Sequence, residues 1–140
     1  MAGKTIPFRL ITPVAVAFEG DAELVIGVGT EGEEGILPSH APFLTALRPG
    51  ILRANVADGA RREFATGEGF MQALPDRLVV LVDAALTQDQ IDVSAARSDL
   101  EAATERQKQL APQTAGYARE GAIIDFAQAR LTLAGGGEKR

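Results

Sequence analysis

The chain has 140 residues and a mass of 14.7 kDa, enough for one ordinary domain or for a small domain with an appendage. It is 46% hydrophobic and 24% charged, a globular composition that excludes wholesale disorder. The net charge of -5 argues against a nucleic-acid partner, because binding a phosphate backbone requires a cationic surface. With no Cys and one His, disulfides, thiolate chemistry and the common zinc sites are excluded, and every apolar stretch is too short to cross a membrane.

The opening segment contains an apolar stretch, Leu10–Phe18, that follows two basic residues. This order is typical of a secretory signal peptide, but Pro13 divides the stretch and makes that interpretation the weaker one. The two pieces, Phe8–Ile11 and Val14–Phe18, predict short strands instead. We therefore expect an ordered amino terminus in a cytoplasmic protein.

The first two thirds of the chain are punctuated by turn-forming residues, with ten of the 15 Gly and six of the 7 Pro before Asp92. Between them lie short β-type runs at the spacing of an antiparallel sandwich. The further predicted strands are Glu23–Ile26, Gly50–Arg53, Gly69–Gln72 and Leu78–Val82. Because the last run is apolar at every position, we expect that strand to be covered on both faces. The prediction is an N-terminal antiparallel β-sandwich over residues 1–88.

The stretch Asp92–Ala111 lacks Gly and Pro and is rich in helix-forming residues. Its side chains at steps of three and four form one mostly apolar stripe. The stripe comprises Val93, Ala96, Leu100, Ala103, Gln107 and Leu110. Asp92 is predicted as the N-cap of this helix, and a second helix is predicted over Tyr117–Ala134, where three glycines follow. Residues 89–140 are thus predicted to form an antiparallel two-helix hairpin, whose alanine-rich contact buries little area.

Three sequence patterns resemble nucleotide-binding or catalytic motifs, but none meets the structural requirements of such a site. Gly27–Gly32 reads G-x-G-x-x-G, but the acidic, Pro-containing sequence after it forms no helix to face a pyrophosphate, so we expect a turn between strands. Ser39 and His40 are adjacent and lack the nucleophile elbow of a hydrolase. Glu33 and Glu34 are more typical of solvated charges than of an acid–base pair. The residues predict no catalytic site, metal or cofactor, which favours a binding or mechanical protein.

The segment Thr30–Gly50, TEGEEGILPSHAPFLTALRPG, combines Gly, Pro and His positions in a long and specific pattern. It closely resembles the signature of the bacterial-type epsilon subunit of F-type ATP synthase, and the resemblance extends over the whole chain. It implies a non-catalytic central-stalk subunit of a proton-translocating enzyme. Such a subunit packs its sandwich on the gamma subunit and couples rotation of gamma and the c ring to ATP synthesis. The implied location is peripheral, on the cytoplasmic face of the bacterial inner membrane, within the ATP synthase complex.

The resemblance also assigns contacts to individual residues. Those implied to face the polar loops of the c ring are Glu31, Glu33, Ser39 and His40. In many relatives the hairpin extends toward the alpha and beta subunits and inhibits ATP hydrolysis. The hairpin residues implied in regulation are Asp92, Arg97, Arg106, Arg119 and Arg130. Residues 92–140 contain seven basic and seven acidic side chains and carry no net charge, so we expect only modest attraction to an acidic partner.

An ATP-sensing module is the alternative function. Some relatives of this family bind ATP in the hairpin through an [IL]-D-x-x-R-A motif. Ile91, Asp92 and Ala96 match that motif, but Ala95 stands in the arginine position, so a bidentate phosphate donor is missing. Arg130 matches a later arginine of the family pattern. The substitution at Ala95 makes this alternative the weaker of the two.

Overall fold

The computed structural model describes residues 4–38 and 41–135, which form nine β-strands, a short 3-10 turn and two α-helices. The strands are β1 (Ile6–Ile11), β2 (Val16–Gly29), β3 (Gly32–Ile36), β4 (Phe43–Leu47), β5 (Gly50–Val56), β6 (Arg61–Thr66), β7 (Gly69–Leu74), β8 (Arg77–Val82) and β9 (Ala85–Leu86). The 3-10 turn covers Gln88–Gln90, and the helices are α1 (Val93–Lys108) and α2 (Ala115–Ala134). This order confirms the predicted fold class, a β-sandwich followed by a two-helix hairpin.

Strand β2 is 14 residues long and belongs to both layers of the sandwich. Its first half pairs antiparallel with β1, and its second half pairs antiparallel with β3 and β5. Strands β1, β8, β7 and β4 continue the first layer, and β5, β6 and β9 continue the second. The two strands predicted at Val14–Phe18 and Glu23–Ile26 are therefore one strand, because the pairing with β1 continues through Gly20.

One strand pair departs from the predicted antiparallel arrangement. Strand β1 lies parallel to β8, with Phe8 opposite Leu78. This pairing places β1 between β2 and β8 in the first layer. Nothing in the local sequence of either strand indicates it, since the two strands are far apart in the chain and meet only in the folded sheet.

The main core lies between the two layers and is built from alternate residues of their strands. Its buried members are Ile6, Phe8, Leu10, Ala22, Val25, Ile36, Leu47, Leu52, Ala54, Val56, Phe64, Met71, Ala73, Leu78, Val80 and Val82. Strand β8 gives Leu78, Val80 and Val82 to this core, whereas Leu81 points away from it and is exposed. The expectation that β8 is covered on both faces is wrong, because none of the described elements packs on this side of the sandwich.

The glycine-rich stretch is a tight turn, as predicted. Strand β2 ends at Gly29 and β3 begins at Gly32, with Thr30 and Glu31 between them. Gly32 has a φ of 126°, which a side chain with a Cβ rarely adopts, so the turn requires glycine here. The third glycine of G-x-G-x-x-G thus opens a strand and leaves no helix end for a phosphate.

Both helices begin at side-chain caps. The Asp92 carboxylate accepts a hydrogen bond from the backbone N–H of Ala95 at 3.1 Å, which confirms the predicted cap of α1. Helix α2 begins two residues earlier than predicted, because the Thr114 hydroxyl accepts from the N–H of Tyr117 and caps it. Leu110 lies beyond the end of α1 and is exposed, so it does not continue the predicted stripe.

Helix α2 attaches the hairpin to the sandwich. Its residues Ala129 and Leu133 pack against Ile51 of β5 and Ala65 of β6, and we call this contact the hairpin junction. Partly buried Ile91 and Phe126 surround it. The domain boundary predicted between residues 88 and 89 falls within the 3-10 turn that connects the sandwich to the hairpin.

Candidate functional site

Three large apolar side chains are exposed side by side on the first layer of the sandwich. They are Leu44 of β4, Phe70 of β7 and Leu81 of β8, with 62%, 53% and 49% of their surface exposed. Phe70 lies directly opposite Leu81 in the β7–β8 pair and opposite Ala46 in the β4–β7 pair. Since directly paired and alternate residues share a face, all of these side chains point away from the core, and we call them the outer face.

The outer face has the character of a docking surface. Phe70 and Leu81 are directly paired on strands about 4.8 Å apart, and Leu44, which pairs with Gln72, lies diagonally beside Phe70, so the three side chains form one patch. Contiguous exposed apolar patches mark sites of association. This surface was not predicted from the sequence, although its signal was present. The apolar run Leu78–Val82 has more apolar residues than a one-sided strand needs for its core, and the surplus lies outside.

The two acidic residues predicted to contact the c ring lie close together, at the turn before β3 and at the start of that strand. Glu31 is exposed in the turn between β2 and β3, and Glu33 lies on β3, where it pairs with Arg53 at 2.8 Å. Gly32–Ile36 pair with β2 as strand β3, so the segment between Glu31 and Pro38 is not a loop. Pro38, the last described residue before Ser39 and His40, follows the opposite end of β3 from Glu31.

Strand β3 separates the turn at Glu31 from the segment that follows Ile36. A five-residue strand is about 16 Å long, so the turn at Glu31 and the segment after Ile36 are that far apart. Ser39 and His40 lie outside the described residues.

The hairpin arginines occupy different environments. Arg106 on α1 binds Glu120 on α2 at 3.0 Å, and this carboxylate, mainly through the hydrogen bond it accepts, raises the pKa of the Arg106 guanidinium. Arg97 is exposed on α1. Arg119 is exposed on α2 and forms no ion pair with a described residue. Only Arg130 is buried.

Arg130 joins the two helices from inside the hairpin. Its Nη2 lies 2.9 Å from Asp99 Oδ2, its Nε donates to the Phe126 carbonyl at 3.4 Å, and its guanidinium lies 4.5 Å from the centre of the Phe126 ring. The Arg130 side chain is 10% exposed, against 51% for Asp99. Its charge is thus neutralised within the protein, and the cation–π contact with Phe126 supports the same position.

A cleft of about 440 Å³ brings three of the predicted hairpin residues together. They are Arg106, Arg119 and Arg130. The carboxylates of Glu68, Asp83 and Asp99 line the same cleft and balance the arginines in number. Asp92 and Arg97 do not line it. Because Arg130 is already bound to Asp99, the cleft offers no concentration of free positive charge for a polyphosphate.

The described residues give no sign of a metal site or a membrane span. Within residues 4–38 and 41–135, no group of three or more His, Asp or Glu side chains is arranged to hold a metal ion. Neither described helix is long and apolar enough to cross a membrane. The remaining features are the outer face, the hairpin and the turn that carries Glu31, which we call the acidic turn; exposed surfaces of this kind are typical of a protein that associates with other chains.

Comparison with known proteins identifies the family. Residues 5–88 match the family described as "ATP synthase, Delta/Epsilon chain, beta-sandwich domain". An ATP synthase epsilon chain from Moorella thermoacetica is 36% identical over 131 residues, which cover 94% of this chain and 97% of that relative. One from Anaeromyxobacter dehalogenans is 38% identical over 126 residues, covering 90% of this chain and 95% of the relative. The chain belongs to the ATP synthase epsilon-chain family, as its sequence resemblance predicted, and is a stalk subunit rather than a catalytic one.

Two solved structures share the fold at low sequence identity. A chain of the Euglena gracilis mitochondrial ATP synthase structure, which contains OSCP, F1 and the c ring, gives a TM-score of 0.74 at 18% identity. That match covers 92% of this chain and 81% of the other. A chain of the Tetrahymena thermophila mitochondrial central stalk and c ring gives 0.60 at 16% identity, covering 93% and 99%. The sandwich and the hairpin are therefore found together in chains of rotary ATP synthases.

Proposed function

We propose that this subunit packs its outer face on a gamma-type subunit of the central stalk and couples rotation to the membrane sector of a proton-translocating F-type ATP synthase. The single observation that carries the proposal is the outer face itself, formed by Leu44, Phe70 and Leu81. The relatives are named ATP synthase epsilon chains, and the chains that share the fold belong to ATP synthase structures, which supports a place in such a complex. By the same family, we place the subunit at the cytoplasmic face of the bacterial inner membrane, peripheral to it.

The outer face supplies a useful but limited binding energy. Full burial of a Leu or Phe side chain contributes about 1.5–3 kcal/mol, and half of each surface is already buried, so each contributes about 1 kcal/mol on docking. Three such side chains give about 3 kcal/mol, close to a hundredfold in affinity. The remainder of the interface has to come from polar contacts and from the neighbouring residues of β1, β4 and β8.

The acidic turn is the proposed contact with the c ring. Glu31 is exposed at its tip, where it is accessible to polar loops that carry basic residues. Glu33 lies on the adjacent strand β3 and forms an ion pair with Arg53. Ser39 and His40 remain part of this proposal through the family pattern alone. Strand β3, which is held by its pairing with β2, connects the turn at Glu31 to the segment after Ile36. A rigid strand transmits torque better than a flexible loop.

Regulation of ATP hydrolysis is the proposed role of the hairpin. In the structure α2 lies against β5 and β6, in a folded-back position. To reach the alpha and beta subunits and inhibit, the hairpin has to leave the sandwich. Its zero net charge supports only weak inhibition. The alternative function, ATP sensing, has less support, because Asp99 already binds Arg130 and Ala95 supplies no guanidinium.

The docking proposal is tested by substituting exposed residues that the fold does not need. We expect the double variant Phe70→Ser, Leu81→Ser to bind an isolated gamma-type subunit of the same enzyme about ten- to a hundredfold more weakly by calorimetry. The matched control is Leu37→Ser, which removes a similarly exposed apolar side chain from the segment after β3. Unchanged affinity in the double variant, with native circular dichroism, would show that gamma binds elsewhere.

A further inference from the structure

One ion pair of the sandwich reaches across a whole strand. Strand β2 lies between β3 and β5, with Glu33 opposite Val28 on one side and Arg53 opposite Ile26 on the other. Directly paired residues share a face, and so do alternate residues of one strand, so these side chains all stand on the outer side of the second layer. The Arg53 side chain therefore crosses β2 to bring its Nη2 within 2.8 Å of Glu33 Oε2.

The two partners differ in support and in burial. Strand β5 is paired on both sides, with β2 and with β6, so Arg53 stands on a strand that is held along two edges. Among the described strands, β3 pairs with β2 alone and forms an edge. The Arg53 side chain is 12% exposed, against 48% for Glu33. Arg53 is thus the fixed member of the pair, and Glu33 is the member that another chain can reach.

The ion pair leaves part of the Glu33 carboxylate available. A carboxylate has two oxygens, with about four positions at which they accept hydrogen bonds. Arg53 donates to Oε2, and within the described part of the chain no hydrogen bond ends on Glu33 Oε1. A long surface side chain that turns among several rotamers has to be ordered when a partner binds, which lowers affinity by about three- to tenfold. The bond to Arg53 orders the Glu33 side chain in advance.

We propose that Arg53 is a positioning residue, which holds the Glu33 carboxylate in one orientation and presents Oε1 to a hydrogen-bond donor of the partner chain. The inference rests on the proposed contact of Glu33 with the polar loops of the c ring. Charge alone predicts the opposite effect. The Arg53 charge partly cancels that of Glu33, so the attraction of basic loops by itself would grow when Arg53 is removed. Positioning requires that the contact weakens instead.

The test measures how tightly a complex of this subunit with its gamma-type partner binds purified c rings in lipid nanodiscs. We expect Arg53→Met, which keeps an apolar stem over β2, to weaken binding about three- to tenfold. Glu33→Gln removes the charge of the contact itself and should weaken binding at least as much. The double variant should bind no more weakly than Glu33→Gln, since Arg53 acts only through Glu33.

Further variants separate orientation from charge. Arg61→Met breaks the ion pair of Arg61 with Glu63 on the same outer side of this layer and changes the net charge equally, and it should leave the affinity unchanged. Arg53→Lys restores the charge and a donor, and should recover part of the loss. Arg53→Gln takes the place of Arg53→Met if circular dichroism shows that the latter disturbs the fold.

Three results would overturn the positioning role. Unchanged or tighter binding in Arg53→Met, with Glu33→Gln still weakened, would leave the contact of Glu33 with the ring in place and show that Arg53 does not support it. Losses that add in the double variant would mean that Arg53 acts on the fold and not through Glu33. If neither single variant changes the affinity, Glu33 makes no contact with the ring, and the positioning role falls with that part of the proposed function.

Discussion

Removal of Asp99 should destabilise the hairpin more than removal of Arg130, although the two residues form one ion pair. The reason is their unequal burial: 10% of the Arg130 side chain is exposed, against 51% for Asp99. Asp99→Asn leaves a buried guanidinium without its counter-charge, which is the costly way to break such a pair. Arg130→Met removes the buried charge itself, keeps an apolar chain against Phe126, and leaves a carboxylate that water can reach.

The magnitudes follow from this asymmetry. Loss of a hydrogen bond to a charged group costs about 1.5–3 kcal/mol, and because Asp99 is half-exposed we expect about 2 kcal/mol for Asp99→Asn. Arg130→Met also removes the bond to Asp99, but water solvates the freed, half-exposed carboxylate, so the net loss is mainly that of the cation–π contact and one weak hydrogen bond, about 1 kcal/mol. The double variant should match Arg130→Met, since the unpaired buried charge is then absent.

The chain carries its own reporter for this measurement. Its only Tyr is Tyr117 on α2, and it has no Trp, so intrinsic fluorescence follows the hairpin during urea unfolding. Glu101→Gln is the control, because it neutralises an exposed carboxylate on the same helix that forms no ion pair with a described residue. Equal losses in the two single variants, or a larger loss in Arg130→Met, would refute the argument from burial.

Three further predictions concern the sandwich and the hairpin. A fragment of residues 1–88 should fold and unfold cooperatively by circular dichroism, because the main core lies wholly within the sandwich and the buried apolar residues that pack with α2 are Ile51 and Ala65, outside that core; a disordered fragment would contradict this. In the assembled enzyme, deletion of residues 90–140 should raise ATP hydrolysis only modestly, and many-fold activation would show that specific contacts outweigh the hairpin's zero net charge. Gly69→Ala should cost about 3 kcal/mol or more in urea unfolding, because a Cβ there would lie 1.8 Å from the Leu81 carbonyl oxygen and force β7 from β8. Gly35→Ala, whose nearest neighbour would be 3.4 Å away, should cost about 1 kcal/mol or less, and similar losses for both would argue against this steric reason.

Much of the architecture was predictable because it depends on short-range properties of the chain. Turn residues at strand-like spacing predicted the sandwich. Apolar side chains at steps of three and four residues after Asp92 predicted the hairpin. The Asp92 cap and the turn at Gly32 rest on hydrogen bonds and dihedral angles within a few residues. The family followed from a motif that is continuous in sequence. In each case the evidence lies within one segment, so no knowledge of distant partners is needed.

The tertiary structure decided what depends on which remote segments meet. The parallel pairing of β1 with β8 arises only when strands far apart in the sequence become neighbours. The exposure of Leu81 is set by how whole layers pack, not by the sequence of its own strand. Likewise, nothing in the sequence indicated which hairpin arginine would be buried. Packing buries Arg130 and makes it the partner of Asp99, 31 residues away. Arg48 and Asp125 are 77 residues apart and show no local signal of their contact. Helical period and turn propensity act over a few residues, whereas burial and charge pairing are fixed by the surfaces that the fold brings together.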